Sequence, residues 1–120
     1  MPTLTKTKTI ALAEVRDLLA AEVLCGDDLT RKVEGAGAAD LMSDVLALSH
    51  SGMLLLTGLV NVQVIRTAVV ADLCGVVFVR GKRPGEDVLK VAREAGMPVL
   101  TTSLTMFEAA GLLYQAISHR

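Results

Sequence analysis

Thr57, Gly58, Asn61, Gly81, Lys82, Thr101 and Thr102 are the residues of this chain whose types and spacing suit ligand chemistry. Threonine hydroxyls and glycine-exposed backbone N–H groups can hydrogen-bond an anion or a sugar hydroxyl, and Lys82 adds positive charge. Each group closes an apolar run: Leu54-Leu55-Leu56-Thr57-Gly58, Val76-Val77-Phe78-Val79-Arg80-Gly81 and Pro98-Val99-Leu100-Thr101-Thr102-Ser103. A strand ending in such a turn and feeding a helix is the unit of a parallel α/β sheet, whose strand ends share one edge. A structural reading stands beside the ligand reading: Asn61 and one of the hydroxyls as helix caps, and Lys82 and Arg83 as a solvated loop.

No catalytic residues are assigned. Gly75 to Arg83 resembles a phosphate loop only at Gly81-Lys82-Arg83; the glycine spacing is wrong and Arg83 stands where Ser or Thr would hold magnesium. Asp40 and Asp44 lie one helical turn apart, but no His or third carboxylate joins them, so Asp40 reads as a helix cap, with Ser43 and Asp44 in the first turn. Thr105-Met106-Phe107-Glu108 has the form of a capping box, which makes Glu108 a cap and not an acid. Cys25, Cys74, His50 and His119 lack metal-ligand spacing, so no metal or cofactor is expected and both cysteines read as reduced thiols.

These residues must be held by a domain of ordinary size, since 120 residues can bury a core without metal or disulfide. The pattern predicts a helix after Thr9, a strand over 22–26 and a second over 33–37. It then predicts helix 41–48, strand 53–57, helix 61–74 ended by Gly75, strand 76–80, helix 86–95 ended by Gly96, strand 98–101 and helix 104–118. The fold class is α/β, a small mostly parallel sheet with helices packed on its faces. Residues 1–8 read as a flexible arm and 9–120 as the single domain.

Hydrophobic residues make up 52% of the chain and aromatics 2%, more apolar surface than a small domain comfortably hides. A homodimer is therefore expected. Helices 61–74 and 104–118 are apolar around most of their circumference, so Val62, Ile65, Val69, Phe107 and Leu113 or their neighbours are the candidate contact. A net charge of −1 without a basic stripe argues against nucleic acid. The longest apolar stretch, Ala68 to Val79, is broken by Asp72 and Gly75 and falls short of the ~20 residues that cross a bilayer. Without a signal-peptide pattern at the N-terminus, the expected location is the cytoplasm.

At Gly35-Ala36-Gly37-Ala38-Ala39-Asp40-Leu41-Met42-Ser43-Asp44-Val45-Leu46 the chain resembles the DRTGG domain. The likeness continues at Gly81 and Pro84, at Ala92-Arg93-Glu94-Ala95-Gly96-Met97-Pro98-Val99-Leu100 and at Thr105-Met106-Phe107-Glu108-Ala109-Ala110, over roughly residues 10 to 117. The name-giving Asp-Arg-Thr-Gly-Gly run is not intact; Asp28 to Gly35 is its nearest counterpart. The resemblance implies a fold similar to the N-terminal domain of HPr kinase/phosphorylase and an accessory, dimer-forming, regulatory role. The resulting expectation is a non-catalytic homodimeric regulatory module that binds a nucleotide or other small anionic metabolite at the strand ends. The alternative is a ligand-free dimerisation or protein-interaction domain that docks onto an enzyme, and the likeness to HPr kinase leaves a small phosphotransfer enzyme as a third option.

Overall fold

The computed structural model describes residues 6–119. In chain order the elements are β1 (Lys6–Thr7), β2 (Ile10–Ala11), α1 (Leu12–Leu18), β3 (Glu22–Cys25), β4 (Lys32–Val33), β5 (Gly35–Ala38) and α2 (Met42–Leu48). They continue with β6 (Met53–Thr57), α3 (Val62–Val70), β7 (Gly75–Phe78), α4 (Glu86–Ala95), β8 (Val99–Thr101), α5 (Met106–Ile117) and β9 (Ser118–His119). The main sheet has the order β3-β8-β7-β6-β5, with β5 to β8 parallel and β3 antiparallel at one edge. Two short antiparallel pairs, β1 with β9 and β2 with β4, lie outside it. Of the arm expected over 1–8, Lys6 and Thr7 pair with His119 and Ser118, and residues 1–5 lie outside the described residues.

Because β5 to β8 follow one another in sequence order and parallel crossovers keep one hand, the connecting helices fall on one face. There α2, α3 and α4 pack Val45, Val64, Ile65, Ala68, Val88 and Ala92 onto Leu55, Val76, Phe78 and Val99. On the other face, α1 and α5 bring Leu12, Val15, Leu19, Ala109, Leu113 and Ile117 against Leu54, Leu56, Val77 and Leu100. The unbroken apolar runs of the sequence are thus split by the two-residue period of the strands between two cores.

Local chemistry sets several boundaries. Gly96 ends α4 at φ 69°, and Thr105 and Glu108 exchange backbone N–H groups at the start of α5. Other expectations shift. The helix begun after Thr9 starts at Leu12, with Ala11 as its N-cap. The strand expected over 33–37 is two elements, β4 in a separate ladder and β5 in the main sheet. α3 stops at Val70, where Ala71, Asp72 and Leu73 donate back to Thr67, Val69 and Ala68 and turn the chain toward β7. Gly75 opens β7 and does not end the helix; a Cβ there would lie 3.3 Å from Leu54 Cδ1 and 3.4 Å from the Pro98 carbonyl oxygen.

Candidate functional site

Thr57, Phe78 and Thr101 stand side by side in the sheet register, so β6, β7 and β8 end on a common rim. At the end of β7 the chain reverses through Val79-Arg80-Gly81-Lys82, closed by a 3.2 Å bond from Lys82 N to the Val79 oxygen. Arg80 at φ 59° and Gly81 at φ 68° are both left-handed, which makes this a type I′ turn. Glycine takes that conformation freely, whereas an L side chain pays roughly 1–2 kcal/mol.

The chain departs from β7 toward α4 on one face and from β8 toward α5 on the other. Such a parting is where α/β sheets open a crevice. Here it is stitched by the chain itself. Arg80 N and Gly81 N donate to the oxygens of Leu104 and Thr102, and Thr102 N donates to Phe78. Thr101 Oγ1 donates to the Lys82 oxygen at 2.7 Å. Thr102 Oγ1 donates to the Leu19 oxygen at 2.7 Å and accepts from Leu104 N. At β6, Thr57 Oγ1 donates to Asp40 Oδ1 at 3.0 Å and accepts from Leu59 N, and Gly58 N donates to the same Asp40 oxygen at 2.8 Å. Asn61 Oδ1 caps α3 by accepting from Val64 N. The hydroxyls and N–H groups of the sequence-derived ligand set are therefore engaged within the chain, and Lys82 presents an exposed ammonium at the rim.

Two rim residues escaped the sequence reading. Asp40 was expected to cap α2, but the N-cap is Leu41 without a side-chain bond, and the carboxylate instead ties the end of β6. The Gly58 N–H holds this carboxyl below the usual aspartate range; the Thr57 hydroxyl and the charges of Arg80 and Lys82 add to the effect, and desolvation opposes it. A local reading assigns an Asp before a helix to the helix, so nothing in its neighbourhood signals a partner 17 residues on. Arg80 falls at the tail of the expected strand 76–80; the signal for a turn is its place beside Gly81. A Cβ on Gly58 would sit 3.3 Å from Arg80 Nη2 and 3.7 and 3.8 Å from the two Asp40 carboxylate oxygens. Arg83, whose structural reading is a solvated loop, forms a bidentate pair with Glu22 at 2.9 and 3.0 Å.

The DRTGG domain family matches residues 14–116. The chain belongs to that family. Among solved structures, this DRTGG domain is similar to the CBS and DRTGG domains of the regulatory region of Clostridium perfringens pyrophosphatase complexed with an activator, diadenosine tetraphosphate. The two are 17% identical with a TM-score of 0.75, over 89% of this chain and 47% of that one. The likeness is one of fold, and the present chain spans about half the length of that structure. No curated protein matches.

A cavity of about 770 Å³ in the DRTGG domain lies away from the rim, between α5 and the edge strand β5, with Gly35, Gly37, Met53, Phe107, Tyr114 and Ile117 in its lining. Phe107 is 88% and Tyr114 59% exposed beside it. Of the residues expected to make a dimer contact, Phe107 and Val69 are exposed and Val62 is half-buried. Ile65 and Leu113, 0% and 1% exposed, pack against the sheet of their own chain. The apolar circumference of α3 has a local cause, because α3 is the middle helix of its layer and packs against α2, α4 and the sheet. Cys25 and Cys74 are free. Burial pushes both thiols up, that of Cys74 to about 11, so neither is a ready thiolate. Among the described residues, no helix is long and apolar enough to cross a membrane.

Proposed function

We propose that this DRTGG domain is a non-catalytic regulatory module that binds a small anionic metabolite, a nucleotide before others, at the rim formed by β6, β7 and β8. The observation that carries this reading is the convergence of three parallel strand ends on one rim bearing Arg80 and Lys82. The activator diadenosine tetraphosphate in the similar pyrophosphatase region supports the choice of ligand class. Thermal denaturation with AMP, ADP and ATP at millimolar concentration tests it. A saturating ligand raises the midpoint in proportion to RT ln(1 + [L]/Kd), and no rise with any of the three refutes the reading.

Phe107 and Tyr114, exposed beside an open sheet edge, favour a second reading, self-association through the α5–β5 groove. Sedimentation of the native chain as a dimer, and of a Phe107→Ser, Tyr114→Ser double variant as a folded monomer, is the expected result. A native chain that sediments as a monomer at high micromolar concentration rejects it.

A further inference from the structure

The rim contains a strained backbone, held by the bonds of Arg80 N and Gly81 N to Leu104 and Thr102, whose side chain has no partner among the described residues. Arg80 holds a left-handed backbone that glycine would adopt without strain. Its exposed guanidinium makes no hydrogen bond or ion pair with any of the described residues. Strain of this kind persists where function uses it. The guanidinium and the Asp40 carboxylate flank the same point above Gly58, 3.3 Å from the one and 3.7 and 3.8 Å from the oxygens of the other, yet they form no ion pair. Within the chain Asp40 Oδ1 is engaged by Thr57 and Gly58, and Oδ2 accepts no hydrogen bond among the described residues.

We infer that Arg80 and Asp40 form the ligand-contacting centre of the rim, and that the ligand is a nucleoside phosphate whose phosphate lies on Arg80 and Lys82 and whose sugar hydroxyl donates to Asp40 Oδ2. This rests on the rim reading above and names its chemistry. A forked guanidinium and an ammonium carried two residues apart by one turn are suited to a phosphate group. An ionised carboxylate only accepts, so beside that anion it tolerates a hydroxyl donor and repels a second negative charge. A free phosphate satisfies the cations alone, whereas a nucleotide offers both groups on one molecule. Gly58 supplies the floor, since a methyl group there would stand between the two side chains.

Isothermal titration of the full chain with AMP, 2′,3′-dideoxy-AMP and inorganic phosphate tests the assignment. The unaltered chain is expected to bind AMP at least tenfold more tightly than either comparison ligand. Arg80→Gly removes the guanidinium from a turn that favours glycine, so it should fold with an equal or higher melting midpoint and lose at least tenfold in AMP affinity. Gly58→Ala should weaken AMP similarly, and Asp40→Asn should erase the preference for AMP over its dideoxy analogue. If AMP binds the unaltered and Arg80→Gly chains equally, the Arg80 assignment falls while the rim reading stands. Inorganic phosphate or the dideoxy analogue binding as tightly as AMP overturns the role of Asp40. Absence of AMP binding by the unaltered chain overturns the Arg80–Asp40 assignment, and the rim reading falls with it only when ADP and ATP also fail to raise the melting midpoint.

Discussion

Replacing Asp40 with alanine removes the acceptor for two donors that cannot reach bulk water easily: the N–H of buried Gly58, and the hydroxyl of Thr57, which is 0% exposed. A hydrogen bond to a charged group contributes about 1.5–3 kcal/mol. Asp40 is itself exposed, so water enters when its side chain is cut, and the Thr57 hydroxyl can turn toward that water. The lower end of the range therefore applies to Gly58 and less to Thr57, giving about 2 kcal/mol in all. For a domain of this size that lowers the melting midpoint by about 8 °C. The folded carboxyl titrates below its unfolded range, so its contribution is complete above the unfolded value near pH 4 and is lost as pH falls through the folded one. Urea denaturation followed by circular dichroism at pH 7 and pH 3 should show a wide gap between native and variant chains at the first and a narrower one at the second. Asp44→Asn, at a carboxylate without a hydrogen bond among the described residues, serves as the control and should stay within about 0.5 kcal/mol of the native chain. An Asp40→Ala loss no larger than that of the control, or a gap that fails to narrow in acid, refutes the reasoning.

Thr102→Val leaves the Leu19 carbonyl and Leu104 N–H without their buried partner and should cost about 1–3 kcal/mol by the same urea assay. Alanine at two glycines should act with opposite sign: at Gly96, φ 69°, it should destabilise by about 1 kcal/mol, whereas at Gly111, inside α5 with nothing within 4 Å of an added Cβ, it should stabilise by about 0.5–1 kcal/mol. Cys74, buried and with its thiol pushed up to about 11, should react with Ellman's reagent at pH 8 only after unfolding; rapid modification of both cysteines in the native protein would contradict its placement.

The elements most legible in the sequence are those whose signals lie within a few residues. Strand 53–57 and helix 86–95 have the bounds that alternation and Gly96 predicted, and the Thr105–Glu108 box opens α5 as its spacing implied. α3 stops short of the expected 61–74: apolar residues on every side look like one long buried helix, whereas α3 is a short one enclosed by two neighbours and a sheet. The same enclosure buries Ile65 in the core of its own chain. In the rim, the seven chosen residues do gather around the ends of β6, β7 and β8, yet Thr57, Thr101 and Thr102 serve mainly to sew turns together.

Alternation of apolar runs with helical patterns, the left-handed glycine and the reciprocal cap were enough to specify a mostly parallel α/β sheet with its strand ends on one edge, since each rests on interactions within a turn or a strand. The partners of Asp40, the strained turn at Arg80 and the division of the core into two faces depended on sheet register and on which face each helix took. Those are set by contacts between segments far apart in the chain. That is why a carboxylate with every local mark of a helix cap became the clasp of a neighbouring strand.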